Sequence, residues 1–335
     1  MKHLIAVLLA TIILGGCSFG GGGAPLVRVD FERTTSFEDN ELIIHTTQFD
    51  GTRVRLSTLR DAESTGPFVT EMPGHEGRAW TLLQMQEGGE NTFLGYAVVS
   101  WNKEDPGDYL AAGWWMHFAN QRYPDIDPYH DDTEIYAFID GPEIDPKNPP
   151  SLPAMGTASY SGGAGGRFLY LYGANWPEDV QDKVSTEEIT GMMTLTADFA
   201  AGTLEGCWGC VGDLTVQRMH LVSAFDRIEE EPVELLMSPK DYNVHFAPTK
   251  FSLEGIFDTR EGVTVTHPER SIEQIRFGYL AGSFSNRQDS AGNPRLVNGF
   301  GGALFVEEDG SASIISMIFN ALSEDFRASA QNQGR

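Results

Sequence analysis

Residues 156–172 read Gly156-Thr-Ala-Ser-Tyr-Ser-Gly-Gly-Ala-Gly-Gly-Arg-Phe-Leu-Tyr-Leu-Tyr172, and this stretch decides the fold. Its residue types alternate with a period of two, which is typical of a strand because successive side chains point to opposite faces. The glycines and alanines on one face favour a tightly curved sheet, since glycine permits close backbone approach. We therefore interpret the stretch as the strand that opens a β-barrel. A dinucleotide-binding loop is disfavoured, because that fingerprint must open a helix.

The rest of the second half of the chain also has the pattern of strands. Residues 192–199 alternate, residues 275–285 form another strand, and residues 296–306 and 311–319 form a hairpin around Asp309-Gly310. Residues 250–257 and 262–267 are predicted to pair as a further hairpin. About eight strands follow residue 155, enough to close a small antiparallel barrel. We predict an all-β fold with an antiparallel eight-stranded β-barrel at residues 151–325 and a frayed tail at residues 326–335.

The first half, residues 28–150, is predicted to be a smaller β-rich, handle-like domain. Strands at 40–47 and 52–58 are joined near Asp50-Gly51, and further strands lie at 93–101, 109–118 and 134–139. Five prolines follow between residues 140 and 153. This proline-rich segment predicts a stiff, extended linker between the two parts.

One strand of the first half carries the only candidate ligand contacts that the sequence offers. In residues 109–118 the even positions are wholly apolar and the odd positions are amphipathic. Trp114 and Trp115 therefore point to opposite faces of the sheet. We expect Trp114 in a core, whereas Trp115 and His117 either line a ligand site or cover a second sheet.

The N-terminus has the pattern of a lipoprotein signal peptide. Residues 1–16 contain Lys2 and His3, an apolar run from residue 4 to residue 14, and two glycines immediately before Cys17. This ending resembles the bacterial lipobox, in which the cysteine becomes the lipidated first residue; an ordinary secretory signal is the alternative. Three acyl chains on Cys17 would anchor the protein stably in a membrane. Residues 17–27 then form a glycine-rich tether.

The remaining cysteines form the motif Cys207-Trp-Gly-Cys210. A C-x-x-C motif in a cytosolic helical context is typical of redox enzymes. Here the context is export and strands, so a structural disulfide between Cys207 and Cys210 is favoured, because exported cysteine pairs oxidise. A redox pair and half of a metal site are the alternatives.

The composition excludes some functions. The net charge of −25 repels phosphate backbones, so we predict no nucleic-acid partner. The sequence contains no H-E-x-x-H, and its G-x-S-x-G match, Gly16-Cys-Ser-Phe-Gly20, falls at the end of the signal peptide and in the tether, where no strand-to-helix elbow is predicted. We therefore expect a protein that is not an enzyme and needs no cofactor. Residues 123–132 are acidic but lack the spacing of a calcium loop, so we predict a solvated loop and no metal site.

Three segments together resemble the transferrin-binding-protein-B-like surface lipoproteins. They are Gly156-Thr-Ala-Ser-Tyr-Ser-Gly-Gly-Ala-Gly-Gly166, Met193-Thr-Leu-Thr-Ala-Asp-Phe-Ala-Ala-Gly-Thr-Leu-Glu-Gly206, and Leu280-Ala-Gly-Ser-Phe-Ser-Asn-Arg-Gln-Asp-Ser-Ala-Gly-Asn-Pro-Arg295 with Gly299-Phe-Gly-Gly302. The resemblance implies a handle and a barrel on an outer-membrane, surface-facing lipoprotein. It also implies non-catalytic binding of an iron source, haem, another solute or a partner protein. The alternative function is a structural or adhesive envelope lipoprotein with a solidly packed barrel.

Overall fold

The computed structural model describes residues 26–30, 34–38, 41–47, 51–64, 75–85, 91–102, 109–118, 133–145, 147–173, 175–178, 184–217 and 238–333. Most of these residues lie in β-strands, which are arranged in two sheets, and the predicted all-β fold is confirmed. Among the described residues, no helix is long and apolar enough to cross a membrane.

The first sheet is built almost entirely by strands that follow one another along the chain. Its strands are β1 (Leu26–Asp30), β2 (Thr34–Glu38), β3 (Glu41–Thr47), β4 (Arg53–Ser64), β5 (His75–Met85), β6 (Asn91–Asn102), β7 (Tyr109–Phe118) and β8 (Thr133–Asp140). They pair in the order β1-β8-β7-β6-β5-β4-β3-β2, and β1 joins β8 in parallel. Thr35 of β2, at one edge, donates its backbone N–H to the Asp140 carboxylate of β8, near the opposite edge, at 3.0 Å. This sheet is therefore curled, so that its two edges approach each other.

The second sheet contains ten strands, where the sequence count gave about eight. They are β9 (Thr157–Leu171), β10 (Val184–Asp198), β11 (Thr203–Trp208), β12 (Thr215–Gln217), β13 (Asn243–Lys250), β14 (Ile256–Thr259), β15 (Val263–Thr266), β16 (Ile272–Phe284), β17 (Leu296–Glu307) and β18 (Ala312–Ser323). The order is β14-β16-β17-β18-β9-β10-β11-β13-β15, with β12 also paired to β10. The count differs because three of the strands have only three or four residues.

This second sheet curls into a half-barrel, and the chain itself crosses between its two edges. After β13 the chain passes to the opposite edge, where β14 pairs with β16, and then returns as β15 beside β13. A bridge between Phe251 and Phe257 ties the crossing segment together. The predicted hairpin of residues 250–257 with 262–267 is therefore wrong. Two β-rich runs separated by a turn suggest a hairpin, but each run here finds its partner on a different edge.

The inner face of the half-barrel forms the main hydrophobic core. Phe168 and Tyr170 of β9, and Tyr172 immediately after it, point inward and are fully buried, whereas Leu169 and Leu171 on the other face are half-buried. The other large core side chains come from every part of the sheet: Tyr160, Phe199, Trp208, Tyr242, Phe246, Phe257, Phe284, Phe305 and Phe319. Aromatic rings thus fill the space that the curled sheet encloses.

The proline-rich segment after β8, predicted to be a stiff, extended linker, is docked on the half-barrel. Glu143 and Ile144 are buried, and the Asn286 backbone N–H donates to the Glu143 carbonyl at 2.9 Å. Leu110 of β7 and Leu296 of β17 belong to one apolar cluster with Ile144, which joins the two sheets. The segment docks because it contains an apolar residue, Ile144, whose side chain is buried against the half-barrel.

The tail predicted as frayed forms the only helix among the described residues, α1 (Glu324–Gln333). The Ser323 hydroxyl accepts a hydrogen bond from the Phe326 N–H at 3.2 Å, which is the arrangement of a helix N-cap. The Arg295 guanidinium lies 5.0 Å from the centre of the Phe326 ring. The helix cap and this cation–π contact stabilise residues that the sequence analysis predicted to be frayed.

Candidate functional site

The two cysteines of the C-x-x-C motif lie where β11 ends on the outer face of the half-barrel. Cys207 is the penultimate residue of β11, and Cys210 follows in a turn in which Gly209 and Gly212 have positive φ values of 87° and 75°. The two residues are joined as a disulfide with their Cα atoms 5.8 Å apart, in agreement with the preferred interpretation of the motif. Cys207 is 8% exposed, whereas Cys210 is exposed to solvent.

A histidine that the sequence analysis did not single out completes this group. His245 of β13 is the direct cross-strand partner of Cys207, so both side chains lie on the same face. Its ring nitrogens Nδ1 and Nε2 lie 3.7 and 3.9 Å from the Cys210 sulfur. Nε2 also lies 3.2 Å from the Thr266 hydroxyl of β15. Cys207, Cys210 and His245 each offer one ligand atom, and these atoms lie within 4.8 Å of one another.

Of the two candidate ligand contacts in β7, the structure describes the side chain of Trp115. Trp115 is 1% exposed, and its ring stacks on Tyr136 of β8 with a centroid separation of 3.8 Å and an interplanar angle of 5°. Trp115 thus packs against a neighbouring strand of its own sheet. The side chain of His117 and Cys17 lie outside the described residues.

A charged cluster occupies one end of the half-barrel interior. Arg270 hydrogen-bonds to Glu307, and its Nη2 also donates to the Tyr170 hydroxyl and to the Asp309 carboxylate, both at 2.6 Å. The hydroxyl of Tyr242 donates to the other Glu307 oxygen. These groups satisfy one another, so the cluster seals this end of the core.

The electrostatics of this cluster follow from its burial. Desolvation, followed by the Glu307 charge, raises the pKa of Tyr242 well above its usual range, so the phenol stays protonated and donates. Burial opposes the charge on Arg270, but the hydrogen bond and charge of Glu307 outweigh it and raise the pKa of Arg270. Burial also opposes the charge on Asp309, but hydrogen bonds from Ser311 and the Arg270 charge lower its pKa.

The interior of the half-barrel offers little room among the described residues. Aromatic rings stand in contact along its length, with centroid separations of 5.6 Å for Phe168–Tyr242 and 5.5 Å for Tyr242–Phe305. The cleft between the docked proline-rich segment and the sheet edge has an enclosed volume of about 10 Å³, room for roughly one water molecule. Glu143 and Glu254 both line this cleft.

Sequence reasoning missed His245 and Arg270 because their partners are distant along the chain. His245 lies in a strand that the residue pattern did not reveal, and only the pairing of β11 with β13 brings it to Cys207. Arg270 stands in a turn before β16, and its partner Glu307 ends β17. The one signal in the sequence for this buried ion pair is that Arg270 is a positive charge between predicted strands in a strongly acidic chain.

The fold and these sites define an all-β protein of two antiparallel-rich sheets, one of them curled into a half-barrel with a packed aromatic interior. No protein-family model matches the chain, and no curated protein matches it either.

Proposed function

We propose that the chain is a non-catalytic, lipid-anchored outer-membrane lipoprotein that resembles the transferrin-binding-protein-B-like proteins and binds a partner protein through its outer surface. The observation that carries this proposal is the aromatic packing of the half-barrel interior. A small β-barrel either fills its interior with side chains or holds one small ligand. Sites for small molecules usually enclose about 300 Å³ or more, whereas large aromatic side chains pack against one another inside the half-barrel. Binding at the surface is the mode that this packing favours.

One end of the half-barrel offers a surface for such a partner. Leu253, in the segment that crosses between the two edges, is 88% exposed, and Met155, just before β9, is 75% exposed. Hydrogen bonds of the Phe251 N–H to Gly202 and of the Phe199 N–H to Gly156 hold both segments at this same end. Exposed apolar side chains on one end fit a protein contact better than a purely solvated surface.

The proposal is tested first by native mass spectrometry of residues 18–335 purified from an export host. A clean apo mass supports surface binding, whereas a stoichiometric haem, metal or small molecule would replace it with solute binding. The anchor is tested by Cys17→Ala, which is expected to move the protein from the membrane fraction to the soluble fraction. Recovery of the variant in the membrane fraction would contradict the anchor.

The partner surface is tested by placing a photo-crosslinking amino acid at position 253 in the intact cell envelope. The matched control carries the same group at Thr196, an exposed position on the face of β10. A single crosslinked product from position 253 that is absent from position 196 supports a partner protein.

The same packed interior favours one second candidate function, a structural or adhesive envelope lipoprotein without a ligand. No crosslinked product at either position, together with a clean apo mass, would favour this alternative.

A further inference from the structure

We propose that reduction of the Cys207–Cys210 disulfide creates a zinc site of two thiolates and one imidazole on the outer face of the half-barrel. The three ligand residues are Cys207, Cys210 and His245, whose ligand atoms already lie within 4.8 Å of one another. Structural and catalytic zinc sites in proteins use this ligand chemistry, and three protein ligands leave the fourth position to water. This inference is independent of the proposed binding function.

The spacing of the ligand atoms suits a tetrahedral ion. With Zn–S and Zn–N bonds of about 2.3 and 2.0 Å, ligand sulfur and nitrogen atoms stand about 3.6 Å apart. The Cys210 sulfur lies 3.7 Å from His245 Nδ1. The two sulfur atoms must separate to about 3.8 Å once their bond is broken. The Cys207 sulfur, which lies within 4.8 Å of the histidine ligand atom, must also come to about 3.6 Å from it.

The backbone around the three residues explains why two are fixed and one can move. Cys207 and His245 lie directly opposite each other on the paired strands β11 and β13. Cys210 lies beyond the strand in a turn with two glycines of positive φ, and it is exposed. Rotation of Cys210 away from Cys207 therefore leaves the sheet intact.

A hydrogen bond already orients the imidazole as it would be in a metal site. The Thr266 hydroxyl lies 3.2 Å from His245 Nε2, so a proton on Nε2 leaves Nδ1, the nitrogen nearer Cys210, as the ligand. Histidines that bind metals commonly donate their other ring N–H to an oxygen in this way, which fixes the tautomer. Thr266 is thus a positioning residue for the site.

The site is gated by redox chemistry, because sulfurs bonded to each other are poor zinc ligands. An external dithiol attacks the exposed Cys210 sulfur, Cys207 leaves as a thiolate, and the second thiol of the reductant releases Cys210. The dithiol is oxidised to a disulfide and the two protein sulfurs are reduced to thiols. Zinc then binds, the two thiols lose their protons, and a water molecule takes the remaining position.

The test uses the mature chain with Cys17→Ser, so that the only thiols are those of the motif. The reduced protein and the oxidised protein are titrated with Zn²⁺ in competition with a chromophoric chelator, and with Co²⁺ as a spectroscopic probe. We expect one zinc per chain and thiolate-to-cobalt absorption for the reduced protein, and neither for the oxidised protein.

The variants separate this site from weak binding to the acidic surface. We expect His245→Ala and Thr266→Val each to weaken zinc binding by at least about tenfold. His45→Ala, at an exposed histidine of β3 in the other sheet, is the matched control and should bind zinc unchanged. Equal affinity of the reduced protein and Cys207→Ser/Cys210→Ser overturns the proposal.

Circular dichroism of the reduced protein covers the case in which reduction disturbs folding. Refolding upon addition of zinc supports the site, since binding then contributes to folding. A reduced chain that is folded and binds no zinc overturns the proposal, and so does one that stays unfolded when zinc is added.

Discussion

Replacing Glu143 with Gln tests whether the docked proline-rich segment stabilises the half-barrel. The Glu143 side chain is 2% exposed, and its carboxylate accepts hydrogen bonds from the Ser285 hydroxyl at 2.6 Å and from Arg295 Nε at 2.9 Å. A second Arg295 nitrogen also contacts it, and Arg287 Nη1 lies 3.3 Å away. The substitution keeps the size of the side chain but leaves the partly buried guanidinium of Arg295 without its counter-charge.

The expected loss follows from the exposure of these groups. Removing one partner of a buried ion pair costs about 3–5 kcal/mol. Arg295 is 15% exposed and Arg287 is 45% exposed, so water can partly solvate both once the charge is gone. We therefore expect the lower end, about 3 kcal/mol in the free energy of unfolding, which is more than a hundredfold in the equilibrium constant.

The assay is denaturant unfolding followed by tryptophan fluorescence, with Glu254→Gln as the control. Glu254 lines the same cleft but is fully exposed, so its replacement is expected to leave the unfolding midpoint unchanged. In a double-mutant cycle, Glu143→Gln and Arg295→Gln should show a coupling energy of about 1 kcal/mol or more. If Glu143→Gln stays within about 0.5 kcal/mol of the native chain, the ion pair does not hold the segment.

Two further predictions concern the half-barrel. Gly166→Ala places a Cβ on the Ser316 carbonyl oxygen and 2.7 Å from Met317 Cα, so β9 and β18 must separate. We expect a loss of about 1–3 kcal/mol in thermal unfolding, and an unchanged Ser159→Ala control on the exposed face of β9; equal melting temperatures would contradict the close approach. Burial lowers the pKa of His267, whose Nδ1 accepts the Glu269 N–H at 3.1 Å. The contribution of His267 to the free energy of unfolding is therefore fully present above the unfolded pKa of about 6.5 and is lost as the pH falls below it. We expect the unfolding midpoint to drop between about pH 7.5 and 5.5. A drop of the same size in His267→Gln would refute this assignment.

The sequence predicted the parts of the fold that depend on local alternation. The alternation in residues 156–172 predicted that this stretch is a strand, and Asp309-Gly310 predicted the turn between β17 and β18. Strand β7 begins and ends where the pattern predicted. A period of two determines which face a side chain occupies, and turn residues determine where a strand ends.

What the sequence did not predict depends on which strands become neighbours. The local pattern does not reveal that the chain crosses between the two sheet edges after β13, because the short strands β14 and β15 have the pattern of a hairpin. His245 lies beside the cysteines only because β13 pairs with β11, which the local pattern does not reveal. The docking of the proline-rich segment was missed because the Glu143 carboxylate holds it through arginines that are distant along the chain. The disulfide was predicted because its two residues are close in the chain and need no tertiary information.

The pairing of β9 with β18 means that the half-barrel joins its first strand to its last. Gly166 and Met317 are register partners, yet they lie about 150 positions apart, and contacts of such separation slow folding because a large loop must close first. A nascent chain that ends before Ala312 leaves one edge of β9 without its native partner. Such an open glycine-rich edge is prone to intermolecular pairing, so synthesis of the final strand is the step that removes this aggregation hazard.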